Sequence, residues 1–161
     1  MNTETVSATL AFPAPAAMVF AALADPTTHA AIDGTGWVRG SINQAPLSTV
    51  GQIFRMRMYH ADHPDGDYRT VNKVVVFDRP RAIAWTTGQE LDDGEREFGG
   101  WIWRYDLAPV DESTTEVTHT YDWSAVPRYV RDRGITFPPF GPGHLANSLR
   151  HLRDLITEAS R

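Results

Sequence analysis

Cysteine is missing from all 161 residues. That excludes disulfides, thiol nucleophiles and thiolate-bound zinc, and it leaves the redox compartment open. No apolar run approaches the roughly 20 residues that cross a bilayer, and the opening MNTETVSATLAF has no basic segment ahead of an apolar one. The expectation is a soluble, cytoplasmic chain without membrane insertion. Positive charge is also in short supply, with 15 Lys and Arg against 20 Asp and Glu and a net charge of −5 spread along the chain. A nucleic-acid partner, which calls for a basic stripe, is therefore not expected.

Loops that cradle phosphate are absent as well. GTGWVRG lacks both the spacing and the following helix of a dinucleotide loop, and no GxxxxGK[ST] occurs, so no nucleotide cofactor is implied. HExxH is missing too. In the HADH segment His60, Asp62 and His63 stand close in sequence, but alternate residues of an extended chain point apart and the adjoining HPDGD reads as a solvated turn. No metal is expected.

What is present is a globular composition, 42% hydrophobic and 11% aromatic. A chain of this length forms one domain, residues 1–161, and buries about two-thirds of its unfolded surface. Thr5 to Phe12 alternates and stops at Pro13, a first strand ended by a residue that cannot continue a ladder. Pro15 then opens a helix in which Met18, Val19, Ala22 and Leu23 recur at helical spacing. Asp25-Pro26 reads as the cap and first residue of a second short helix, running to about Ile32 and ended by Gly34 and Gly36.

Strand patterns follow at Trp37 to Gly40, Gly51 to Ala61, Tyr68 to Phe77, Arg81 to Thr87, Phe98 to Leu107 and Thr115 to Trp123. The turns between them are short, which makes an antiparallel meander. Pro127 to Gly143 is rich in proline and glycine. His144 to Ser160 is a long amphipathic helix with Leu145, Leu149, Leu152 and Ile156 in one stripe. That stripe needs an apolar partner, and the face of the sheet is the one large enough.

The last two strands are crowded with rings. Trp101, Trp103, Tyr105 and Leu107 share one face, and Val117, His119, Tyr121 and Trp123 share a face of the next strand. Cores are normally filled by Leu, Val and Ile, whereas each buried indole, phenol and imidazole needs a polar partner. Two readings stay open, a small-molecule cavity and a core whose rings are satisfied internally.

Several segments together resemble the START-like, helix-grip superfamily and its polyketide cyclase/dehydrase-like (SRPBCC) branch. They are PAPAAMVFAALADPTTHAAIDG after the first strand, GQIFRMRM, RAIAWTTG, WRYDLAP with TTEVTHTYDW, and the terminal HLANSLRHLRDLI. The resemblance implies an α+β, Bet v 1-like fold in which a curved antiparallel sheet of about seven strands grips the C-terminal helix, with two short helices after the first strand. It also implies a cavity for a small hydrophobic molecule (aromatic, polyketide-like or lipid-like), in a monomer or homodimer. Some members of the superfamily are cyclases or dehydratases, and others are protein-protein adaptors similar to Hsp90 activators.

On that fold, alternation turns Phe54, Met56, Met58 and His60 inward, with Ile83 and Trp85 beside them. Trp101, Trp103, Tyr105, His119 and Tyr121 complete the wall, and the helix offers Leu145, Ser148, Leu149 and Leu152. Phe137 and Phe140 in FPPFGPG form part of the rim. His119, paired with Tyr121 or Tyr105, is the candidate for acid–base work in a cyclase or dehydrase; the bland alternative is an imidazole bonded to Tyr105, Tyr121 or a backbone carbonyl. Asp92, Asp93, Glu95, Arg96 and Glu97 read as a solvated loop, and Arg128, Arg131 and Arg133 as salt-linked surface residues or as contacts at the cavity mouth.

Overall fold

The computed structural model describes residues 4–33, 37–43, 45–60 and 66–159. Strand β1 (Thr5–Phe12) leads into helix α1 (Ala16–Leu23) and a 3-10 turn (Pro26–Thr28) that runs on into helix α2 (His29–Ile32). Six strands follow: β2 (Val38–Ser41), β3 (Ile53–Tyr59), β4 (Asp67–Asp78), β5 (Ala82–Glu90), β6 (Arg96–Asp111) and β7 (Thr114–Asp122). A short helix α3 (Arg128–Arg131) and the long helix α4 (His144–Ala159) finish the chain.

The strands form one sheet in the order β1-β7-β6-β5-β4-β3-β2, antiparallel throughout. Short turns make β2 to β7 a meander. β1 closes the far edge by pairing with β7, with Ala8 opposite His119, so the first strand lies beside the last. This is the curved sheet with a gripped helix that the resemblance implies, with both short helices after β1.

Local chemistry fixes the connection from β1. Pro15 caps α1 in an extended conformation, and the Asp25 side chain accepts a hydrogen bond from the Thr27 N–H at 3.0 Å, capping the turn that starts at Pro26. The positions expected to end α2, Gly34 and Gly36, lie outside the described residues. Helix α3 lies in the proline- and glycine-rich segment, where the sequence pattern predicts no element.

Helix α4 buries the foreseen stripe: Leu149 and Leu152 are fully enclosed, and Leu145 and Ile156 nearly so. Burying each such side chain is worth about 1.5–3 kcal/mol. The helix lies chiefly against β1, β7, α1 and α2. It therefore covers one end of the concave face.

The sheet curls at register shifts between Val74 and Val76, Thr86 and Gly88, and Pro109 and Asp111. At the second of these a Cβ on Gly88 would sit 2.1 Å from the Glu97 carbonyl oxygen, a backbone atom that has no side-chain freedom to give way. Gly100 holds φ at +96°, again beside backbone. Gly88→Ala should lower stability by about 1–3 kcal/mol through overpacking against that backbone. Gly141→Ala, in open space, should change it by less than about 0.5 kcal/mol. Urea denaturation measures both, and equal effects would refute the close approach at Gly88.

Candidate functional site

With α4 over β1 and β7, the concave face of β3 to β6 borders a cavity of about 430 Å³. Its sheet wall is Phe54, Met56 and Met58 from β3, Tyr68, Thr70 and Asn72 from β4, Trp85 and Thr87 from β5, and Trp101, Trp103 and Tyr105 from β6, with His119 and Tyr121 from β7. Period-two alternation produces this, since these residues sit two apart along each strand. His29 and Ile32 of α2 form one end. His144 and Ser148, one turn apart on α4, face the sheet across the space, and Val130, Arg133, Ile135, Phe137 and Pro139 form the rim.

Of the residues proposed from sequence, Met56, Met58, Trp85, Trp101, Trp103, Tyr105, His119, Tyr121, Phe137 and Ser148 border this space. Six are placed elsewhere, of which Ile83 and Leu152 belong to the core. Leu145 and Leu149 are packed in the core, because the apolar stripe of α4 points at β1, β7 and the short helices, while the neighbouring face carrying His144 and Ser148 meets the cavity. Phe140 stands behind the lining, with its ring 4.6 Å from that of His144, 5.1 Å from Tyr121 and 5.8 Å from Trp103. His60 falls just past the end of β3, where alternation stops, and its ring lies 4.9 Å from Trp37. Asp62 and His63 lie outside the described residues.

Sequence reading missed His29, Asn72, Thr87 and His144. His144 was within reach, because it stands four residues before Ser148 on one helical face. Nothing local marked His29, whose burial rests on the tertiary contact with Trp85, stacked at 4.9 Å and 15°.

Most buried polar groups here are satisfied from within. The Thr87 hydroxyl donates to Asn72 Oδ1 at 2.7 Å, and Asn72 Nδ2 reaches the Phe54 carbonyl at 3.4 Å. His29 Nε2 lies 2.9 Å from the Leu23 carbonyl, which fixes its tautomer with the proton on Nε2, and burial holds its pKa below the ordinary value. Tyr105 and Tyr121 titrate well above the usual phenol range because burial disfavours the phenolate.

His119 is different. It is 3% exposed, and among the described residues no side chain hydrogen-bonds either ring nitrogen. Of the partners named in the alternative, neither Tyr105 nor Tyr121 bonds the ring, and the backbone group that acts on it is that of Leu145. Tyr105 instead stacks flat on the imidazole, centroids 4.0 Å apart and planes within 9°, while Trp103 lies at 5.9 Å. Burial, reinforced by nearby His144 and only partly offset by the Leu145 backbone, lowers the His119 pKa from 6.5 to about 3. The pKa of His144 is also lowered, mainly by burial.

At the rim the Arg133 guanidinium donates to Glu97 Oε1 at 3.0 Å, joining the segment after α3 to β6. Arg133 is therefore both salt-linked and at the cavity mouth, and Arg96 and Glu97 belong to a strand instead of the expected solvated loop. Arg131 is tied to the Trp123 and Val126 carbonyls and to Glu4, and Arg128 pairs on the surface with Asp132.

A seven-stranded antiparallel sheet curled around a C-terminal helix, with its cavity between them, defines the α+β helix-grip fold of START-like and Bet v 1-like proteins. Solved structures agree along nearly the whole chain. Protein Ms6760 of Mycobacterium smegmatis superposes with a TM-score of 0.68 at 16% identity, covering 98% of this chain and 93% of that one. Norcoclaurine synthase of Thalictrum flavum, in complex with dopamine and hydroxybenzaldehyde, does so with a TM-score of 0.61 at 15% identity, covering 96% and 86%. Similarity in sequence extends to an uncharacterized protein of Mycobacterium tuberculosis, 31% identical over 120 residues, which are 74% of this chain and 48% of that protein. The chain thus spans about half the length of the curated relative it matches. No protein-family model matches the sequence. Among the described residues no helix is long and apolar enough to cross a membrane.

The neutral, buried His119 makes stability depend on pH. Its folded pKa lies below the unfolded 6.5, so the unfolded chain takes up the proton first. Stability is then full above about pH 6.5 and falls as pH drops toward 3, at up to about 1.4 kcal/mol per pH unit. His29 and His144 act in the same direction. In thermal melts from pH 7 to pH 4, His119→Phe should lose Tm less steeply than the wild type. Parallel curves would contradict the assignment.

Proposed function

We propose that this protein binds a small, largely apolar molecule, aromatic or polyketide-like, in the cavity between the sheet and α4. One observation carries this reading: a ring-lined space of about 430 Å³ is bordered by a buried imidazole that no side chain among the described residues bonds. Pockets of about 300–1,000 Å³ with mostly apolar walls and a few convergent polar groups suit small organic ligands. Met56 and Met58 add an adaptable patch to the wall. Norcoclaurine synthase, whose fold is shared, is described in complex with two small aromatic molecules, which supports the same ligand class here.

A cyclase or dehydrase working through His119 and Tyr121 is the second reading, favoured by the position of both residues on the cavity wall. Two observations weigh against it. His119 makes no hydrogen bond to Tyr121, and a base whose conjugate acid has a pKa of about 3 is weak at neutral pH. Binding is the better supported role, and an adaptor would have no use for such a cavity.

Titration with the neutral fluorescent probe N-phenyl-1-naphthylamine tests the reading. The wild type should bind it with enhanced emission. Met58→Trp, which fills the space, should weaken binding by about tenfold or more, equal to about 1.4 kcal/mol. Val110→Asp, on the exposed end of β6, should leave affinity unchanged. Equal affinity in Met58→Trp and the wild type would place the probe elsewhere.

A further inference from the structure

Resting on the reading of the cavity as a small-molecule site, we propose that its ligand is an uncharged aromatic compound carrying a phenolic or enolic hydroxyl, and that this hydroxyl is held by a ring nitrogen of His119. The imidazole is 3% exposed and, among the described residues, bonded by no side chain at either nitrogen, whereas Asn72 with Thr87 on the sheet wall is satisfied internally. A buried polar group left unpaired is costly, so its edge is where a ligand gains most by supplying the missing partner.

The packing dictates the direction of approach. Tyr105 covers one face of the His119 ring at 4.0 Å, and the paired residue on the other strand is Ala8, too short to reach either nitrogen. A partner for either nitrogen must come in the plane of the ring. A neutral imidazole presents one N–H and one lone pair, and a hydroxyl, which both donates and accepts, fits either nitrogen.

Charge narrows the class further. An ionised carboxylate can only accept, and it would enter a space where burial keeps His119, His29 and His144 from readily taking a proton. Asp33, also on the cavity wall, adds negative potential that acts on His144 and Tyr105. Of the two arginines on the lining, Arg133 at the mouth already pairs with Glu97, and Arg69 is exposed and interacts with Glu90. The ligand body is correspondingly apolar: Trp85, Trp103, Phe54 and Met56 offer ring and thioether contacts.

The test compares 2-naphthol, naphthalene and 2-naphthoate at pH 7, each displacing the fluorescent probe, in the wild type, His119→Phe and His119→Gln. Phenylalanine keeps the stack on Tyr105 without the nitrogens, and glutamine keeps a donor and an acceptor. Thermal melts confirm that each variant is folded. In the wild type 2-naphthol should bind about fivefold or more tighter than naphthalene, and tighter than 2-naphthoate. His119→Phe should abolish the advantage over naphthalene, and His119→Gln should restore part of it.

Equal binding of 2-naphthol and naphthalene to the wild type would overturn the role of His119 and leave the cavity reading standing. So would a hydroxyl preference that survives in His119→Phe, the result expected if a buried water alone occupies the imidazole. Tightest binding of 2-naphthoate would overturn the uncharged class. If none of the three displaces the probe, both this inference and the ligand class beneath it fail.

Discussion

One helix cannot cover the concave face of a seven-stranded sheet, and most of this structure follows from that shortfall. The apolar stripe of α4 is four residues deep and is spent on β1, β7 and the two helices that follow β1. Across β3 to β6 the sheet has curled away at two register shifts, and among the described residues no second long helix packs there. Large rings reach inward across the remaining gap. They narrow it without filling it, because flat, stiff side chains leave spaces that flexible aliphatic ones would close.

The polar groups around this space divide by how they are satisfied. Those on β4, β5 and α2 find partners within the protein, so they position the wall and offer a ligand little. His119 lies at the junction of β6 and β7, between Tyr105 and the small Ala8, where stacking replaces hydrogen bonding. Stacking holds the plane of the ring, and no side chain among the described residues engages its nitrogens. A side chain placed in this way is preorganised for recognition, since its orientation does not have to be fixed when a ligand arrives.

The elements were legible in the sequence wherever periodicity ran long enough. β1 and α4 were readable from alternation and from the leucine stripe, and the inward set on β6 and β7 followed from counting by two. What stayed hidden depended on tertiary contact or on short segments. α3 has four residues, too few for a helical period to show. His60 was drawn inward by extending the alternation of β3 one step beyond its end. Leu145 and Leu149 were placed at the cavity because the helix stripe was matched to the whole sheet, when it packs on one end of it. His29 is set by stacking on Trp85, more than fifty residues away along the chain, and the surroundings of His119 by the packing around it; neither property has a local signature.

The most direct test of this account is a crystal structure of the protein grown with 2-naphthol. It should show the ring system between α4 and the sheet, against Trp85 and Trp103, with its oxygen about 3 Å from a nitrogen of His119. A cavity holding only water, or the naphthol bound elsewhere on the molecule, would contradict it.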